Sequence, residues 1–147
     1  MIMIGLSENR VKHSLAVARK MQELASKSEN FPHSPEDMFL LGYVHDMAYE
    51  FVGHQDEHEH YCGELLRDNG YKFWKEVFYH GDPAASYKSS ALSLLNYADM
   101  TTDPNGNSVT MEMRLEDIGL RYGKTSKQYI KALNLVQLLK DQCLDFV

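Results

Sequence analysis

What most constrains this chain is the spacing of its apolar residues: segment after segment repeats them at helical intervals, and nothing reads as a strand. Val11, Leu15, Ala18, Gln22 and Ala25 fall on one stripe, broadened by Met21 and Leu24, which predicts a first helix from a Ser7 cap to about Ser26. Ser34 followed by Pro35, Glu36 and Asp37 is a helix start: a capping hydroxyl, a proline at the first position, then acids in the first turn. That second helix carries Met38, Leu41, Val44 and His45, and its centre is apolar nearly all round, which predicts a buried central helix. A third helix is expected from about Gln55 to Asp68, ended by Asn69-Gly70. Tyr71 to Tyr79 reads as a short aromatic helix closed by His80-Gly81-Asp82-Pro83, and Ala84 to Met100 as a fifth. Asp103-Pro104-Asn105-Gly106-Asn107 is the clearest turn. Ser108 is expected to start a sixth helix ending near Tyr122-Gly123. Thr125 with Gln128 reads as the capping box of a last helix running to about Leu144. The expected fold is all-α, a compact bundle of six to seven helices packed on one another.

At 147 residues the chain fits one domain over 1–147, large enough to fold without staples. Fifteen basic residues against 21 acidic give a net charge of −6. That argues against binding nucleic acid, which needs clustered Lys and Arg, but not against a small phosphorylated substrate bound through a metal. Apolar runs are too short to span a membrane, and the first ten residues lack the pattern of a signal peptide. Cys62 and Cys143 are too few for a disulfide scaffold, so a cytoplasmic location with reduced thiols is the expectation.

Histidine carries the functional signal. Of seven, six lie between His33 and His80. His13 sits inside the first helix, His45 and Asp46 at the end of the second, His80 at the end of the fourth and Asp99 near the end of the fifth. Imidazoles and carboxylates from separate helices can converge on a transition metal in a helical core. Each residue also has an ordinary reading. His13 can be a hydrogen-bonded histidine, His80 a helix-end cation, Asp99 a solvated carboxylate. Asp46, on so apolar a helix, needs a partner or a metal.

The segments 10–18 (RVKHSLAVA), 40–48 (LLGYVHDMA), 78–81 (FYHG) and 96–100 (NYADM) resemble the HD superfamily of metal-dependent phosphohydrolases. The resemblance covers about residues 7–123, with a further helix at about 125–145, and segment 114–123 resembles small members of the superfamily. It implies that His13, His45, Asp46 and Asp99 hold a divalent metal. In members with two ions, Asp46 would bridge them, and His80 with a third-helix histidine would hold the second. His58 fits that register four residues before Cys62; His60 is the runner-up and His54 a further candidate. The spacing from His80 to Asp99 resembles the superfamily's diadenosine-tetraphosphate hydrolases, which implies iron first, with Mn, Co, Zn, Ni or Mg as alternatives. Many members carry a lysine three residues after the doublet Asp; here the residue is Tyr49, so phosphate must be neutralised elsewhere.

The function expected is a metal-dependent phosphohydrolase acting on a nucleotide or other small phosphate ester. Two ions about 3.5–4 Å apart acidify a water and clamp phosphoryl oxygens, so a metal-activated hydroxide attacks and no protein nucleophile is needed. Arg10, one helical turn before His13, shares its face and is the candidate substrate-binding residue. Lys88, Arg114 and Arg121 are further possible cations, and Asp103 either touches substrate or forms its turn. Phe73, Trp74, Phe78 and Tyr79 can stack a base, form a homodimer face or pack in the core. A di-iron oxygenase on the same fold is the alternative, and a non-catalytic nucleotide- or metal-sensing module a third reading. No phosphate-loop, dinucleotide-binding or serine-hydrolase motif is present.

Overall fold

The computed structural model describes residues 8–47, 58–142 and 144. It places seven helices among them: α1 (Glu8–Lys27), α2 (Pro35–Val44), α3 (His58–Asp68), α4 (Trp74–Tyr79), α5 (Ser90–Met100), α6 (Met111–Tyr122) and α7 (Lys127–Asp141). Among these residues Thr102 and Ser108 pair in an isolated antiparallel bridge that forms no sheet. The architecture is all-α, as the periodicity predicts. Ser7, Tyr49, His54, Gln55 and Cys143 lie outside the described residues, as does the side chain of His58. Cys62 is a buried thiol whose Sγ donates to Val44 O at 3.5 Å. No helix among the described residues is long and apolar enough to cross a membrane.

Neighbours in sequence pair into hairpins, α1 with α2, α3 with α4 and α6 with α7, while α5 touches α1, α2, α4 and α7. The buried centre is therefore α5, with Ala91, Leu92, Leu94, Leu95, Asn96, Ala98 and Met100 all enclosed. This corrects the expectation for α2. Its inner face is Met38, Leu41, Gly42 and Val44, but Leu40 is exposed and Phe39 stacks on Tyr43 along the outside. An all-round apolar pattern cannot distinguish a helix enclosed on every side from one with an apolar outer surface.

The buried face of α1 is also rotated from the expected stripe. His13, Ser14, Val17, Ala18, Met21 and Ala25 face the core, and Val11, Leu15 and Gln22 do not reach it fully. Small residues set this choice. A Cβ on Gly42 would stand 2.7 Å from Ala18 Cα, so α2 lies directly against the Ala18 backbone and fixes which side of α1 is inside. Gly63 plays the same part between α3 and α4, where a Cβ would stand 2.6 Å from Phe78 Cβ.

Four helix starts differ from expectation: α4 begins at Trp74 rather than Tyr71, with no side-chain cap, and the other three move because a neighbouring hydroxyl caps. Ser89 Oγ accepts from Leu92 N and donates to buried Glu76, so α5 begins at Ser90 rather than Ala84. Thr110 rather than Ser108 caps α6. Ser126 caps α7 by accepting from Tyr129 N, which replaces the expected Thr125–Gln128 box. The last helix ends at Asp141, with Gln142 as its cap, rather than near Leu144.

Candidate metal centre

The α1–α2 contact brings His13 beside His45, with ring centroids 5.7 Å apart. α5 delivers Asp99 to the same point: its Oδ1 lies 2.8 Å from His13 Nε2 and 3.5 Å from His45 Nε2. Asp46 Oδ2 stands 3.3 Å from His45 Nε2 and 3.9 Å from His13 Nε2. One ligand atom from each of His13, His45, Asp46 and Asp99 falls within 4.8 Å of every other. Donors about 2.1 Å from a shared centre are separated by about 3.0–4.2 Å, the spread these pairs broadly show. His13, His45 and Asp46 are buried, and Asp99 opens partly to the surface.

Each imidazole is aimed by a backbone carbonyl. His45 Nδ1 donates to Gly42 O at 2.6 Å, His80 Nδ1 to Val77 O at 2.6 Å and His13 Nδ1 to Asp103 O at 2.9 Å. A carbonyl can only accept, so the proton belongs on Nδ1 and the lone pair on Nε2. Such a backing bond fixes the ring tautomer of metal-binding histidines. Asp103 serves through its backbone. Its carboxylate accepts from Asn105 N, Asn107 N and Asn107 Nδ2 and so shapes the turn, which decides between the two readings of that residue. The turn is docked on α1: Gly106 has φ of 87°, and a Cβ there would stand 2.9 Å from Lys12 O.

The result is a set of lone pairs facing one another. His45 Nε2 is buried without a hydrogen-bond partner, and His13 satisfies both Asp103 and Asp99 only as a cation or with a metal at Nε2. Burial pushes the His45 imidazolium down, but the Asp46 and Asp99 carboxylates outweigh it and hold its pKa well above the ordinary value. Burial likewise pushes Asp99 up, and the His13 and His45 imidazoles beside its carboxylate overcome it, leaving its pKa well below the usual range. The site thus demands a cation. Its nitrogen and carboxylate donors, fixed in advance at metal-like separations, fit a divalent metal.

His80 lies 3.5 Å from the other oxygen of Asp46, Oδ1, and its ring stands 5.2 Å from that of His45. Arg10 Nη1 is 3.5 Å from Asp46 Oδ2. Six expected residues therefore meet: Arg10, His13, His45, Asp46, His80 and Asp99. His60 does not join them; it is exposed and stacks on Phe78 with centroids 4.4 Å apart.

A cavity of about 250 Å³ opens over this cluster, and Arg10, His13, Asp46, His80 and Asp99 line it. Arg114 and Arg121 line it too, whereas Lys88 lies elsewhere. None of Phe73, Trp74, Phe78 and Tyr79 reaches it; Phe73 is core, and the others pack with one another on α4, while Tyr122 lines the cavity. Sequence reading missed Glu59 and Lys131 in the lining. Glu59 is buried, three residues before buried Cys62, and that helical phase was the available signal. Lys131 looks like any exposed helix cation, and its Nζ stands 3.8 Å from Glu59 Oε1.

Comparison with curated proteins and with solved structures gives no match. A family profile described as HD domain matches residues 10–130, which include every residue of the cluster. With that match spanning most of its length, and with the His, His-Asp and Asp side chains gathered at one point, the chain belongs to the HD domain family.

Proposed function

We propose that the protein is a metal-dependent phosphohydrolase acting on a nucleotide or another small phosphate ester or anhydride. The observation that carries this reading is the convergence of the His13, His45, Asp46 and Asp99 donor atoms at the floor of an open cavity. HD domains are generally metal-dependent hydrolases, and the clustered His and Asp side chains could hold such a metal. A divalent metal held by these four would supply Lewis acidity and a water acidified towards neutral pH.

The chain's own residues do the rest. The imidazoles are held by Gly42, Val77 and Asp103 carbonyls, so their Nε2 atoms need no reorganisation on ligand binding. The Arg10 guanidinium, partly exposed beside Asp46, can neutralise a non-bridging phosphoryl oxygen in place of the lysine that Tyr49 replaces. Asp46 directs one oxygen to His13 and His45 and the other to His80, which supports its role as a bridge between two ions. His80 then belongs to the second ion, and His58 is assigned there by resemblance alone. Iron is the ion proposed, and dinucleoside polyphosphates are the narrowest substrate proposed. A net charge of −6 favours small phosphates over nucleic acid.

The test is a panel of nucleoside mono-, di- and triphosphates, dinucleoside polyphosphates and phosphorylated sugars, run with iron, manganese and cobalt. Metal-dependent phosphate release from at least one, weakened in Arg10→Ala through KM or kcat, is expected. Elemental analysis should give two ions per chain and one in His80→Ala. An inert panel with oxygen consumption by the iron form would replace this reading with the oxygenase.

A further inference from the structure

The cavity has a second charged region that the metal centre does not use. It comes from α6 and α7, which contribute none of the six clustered residues. On α6, Arg114, Ile118 and Arg121 recur four and three residues apart, so they share one helical face, and all three line the cavity. On α7, Lys131 and Leu135 do the same. The chain is acidic overall at −6, yet the described lining sets four cations, Arg10, Arg114, Arg121 and Lys131, against three carboxylates, Asp46, Glu59 and Asp99.

The partners of these cations differ. Arg10 faces Asp46, and Lys131 faces Glu59. Arg114 and Arg121 share the Asp117 carboxylate, whose Oδ2 lies 3.2 Å from Arg121 Nε and 3.9 Å from Arg114 Nη1. Arg114 also acts electrostatically on the Asp103 carboxylate, so the case for an anion rests on an unmet donor rather than on net charge. The Arg114 side chain is only 16% exposed, and its Nε is buried with no hydrogen-bond partner. A buried charged donor without an acceptor is costly, and an anion in the cavity would relieve it. Asp117 meanwhile holds both guanidiniums on the cavity side of the helix, an arrangement suited to the several oxygens of a phosphoryl group.

We infer that Arg114 and Arg121 form an outer anion subsite that takes a second phosphoryl group next to the one at the metal centre. The inference rests on the phosphohydrolase reading and narrows it. The preferred substrate carries contiguous phosphoryl groups, a phosphoanhydride, rather than one phosphate on an organic alcohol. A lone phosphate occupies the metal end and leaves the Arg114 donor unmet. A diphosphate satisfies both.

The experiment is calorimetry on the manganese-loaded protein with two probes: inorganic phosphate, and imidodiphosphate, whose P–N–P bridge resists hydrolysis. Manganese content is measured again after each titration, because imidodiphosphate chelates metal. The wild-type protein is expected to bind imidodiphosphate at least about tenfold more tightly than phosphate, the effect of one charge-assisted hydrogen bond. In Arg114→Gln/Arg121→Gln the ratio of the two affinities should fall by about tenfold or more, and Arg114→Lys/Arg121→Lys should recover part of it. Arg121→Gln alone, at an exposed position, keeps the test available if the double variant fails to fold. No preference in the wild type, binding of neither probe, or a wild-type ratio retained in Arg121→Gln and in the double variant would overturn the subsite. Phosphate release with an unaltered ratio removes the subsite and leaves the phosphohydrolase reading. A charge-dependent ratio in a protein inert to the whole panel does the reverse.

Discussion

Two polar clusters sit on α1, seven residues apart. At Lys20, the ammonium donates to Thr101 O at 2.6 Å and to Thr101 Oγ1 and Ser108 Oγ at 3.0 Å. Three donors meet three acceptors, and α1 is pinned to the segment after α5. At His13, the ring meets Asp99 at 2.8 Å, and the neighbouring His45 Nε2, 3.3 Å from Asp46 and 3.5 Å from Asp99, is buried without a hydrogen bond. The first cluster is complete as it stands; the second is completed only by a cation. Cavity size would point the other way, since the groove beside Lys20 is about 440 Å³ and that over His13 about 250 Å³. The difference teaches that unfinished hydrogen-bond accounting locates function better than volume does.

Asp46→Ala should break the His13 cluster most completely. Turnover should fall by about a thousandfold or more, with helical circular dichroism retained, because metal charge stabilisation amounts to several kcal/mol. Full activity at equal metal loading would remove Asp46 from the mechanism.

Metal addition should separate the two clusters thermodynamically. A free metal concentration a hundredfold above Kd stabilises the wild type by about 2.7 kcal/mol, or about 5–11 °C in Tm for a chain of this size. The shift should be absent in Asp46→Ala. It should also grow with pH. The raised His45 pKa stabilises the metal-free fold below about pH 6.5, its ordinary value, and that contribution is lost as pH rises through the folded-state value. The depressed Asp99 pKa acts in the opposite sense: its contribution is present above 3.8 and lost as pH falls through the folded-state value. Metal must displace the His45 proton, so melting curves with and without manganese should diverge more at pH 8 than at pH 6. Convergence would contradict a proton-occupied cation site.

Gly42→Ala should damage both fold and site. Its Cβ meets Ala18 Cα at 2.7 Å, an overpacking cost of about 1–3 kcal/mol. Displacing the carbonyl behind His45 should weaken metal binding by about 10–100-fold. Unchanged manganese affinity would show that the carbonyl does not aim the ring.

Lys20→Met should cost about 1–3 kcal/mol by orphaning partly buried acceptors, and leave the metal-induced rise in Tm intact. If that rise also disappears, the two clusters are one unit and the contrast drawn between them fails.

Much of the candidate metal centre was legible in the sequence because its residues are marked by side-chain identity. Histidines and aspartates at helix-compatible spacing are visible without coordinates, and His13, His45, Asp46 and Asp99 converge as that pattern implied. Asp103 shows the limit. What it gives His13 is a carbonyl, which every residue possesses, so no letter in the sequence marks it. The helix starts failed for a related reason. Ser and Thr cluster at 89–90, 108–110 and 125–126, any of them can cap, and tertiary contacts such as Ser89 with Glu76 decide. The rotated face of α1 and the centrality of α5 follow from the close approach at Gly42 and from helix pairing, neither of which periodicity encodes. Arg114 and Arg121 are spaced like solvated surface charges, and only the folding of α6 over the cavity gives them a common target.

The carbonyls behind His45 and His80 have one more consequence. Gly42 and Val77 lie in the last turns of α2 and α4, where carbonyls have no amide left to bond within the helix. Here two of those spare acceptors hold imidazoles, so ending the helix and orienting the ligand are one event. Fraying of either terminus would swing a ring away, and a bound ion would in turn clamp both termini shut. Slowed amide exchange in the final turns of two short helices would then report metal occupancy from the backbone alone, before any substrate is known.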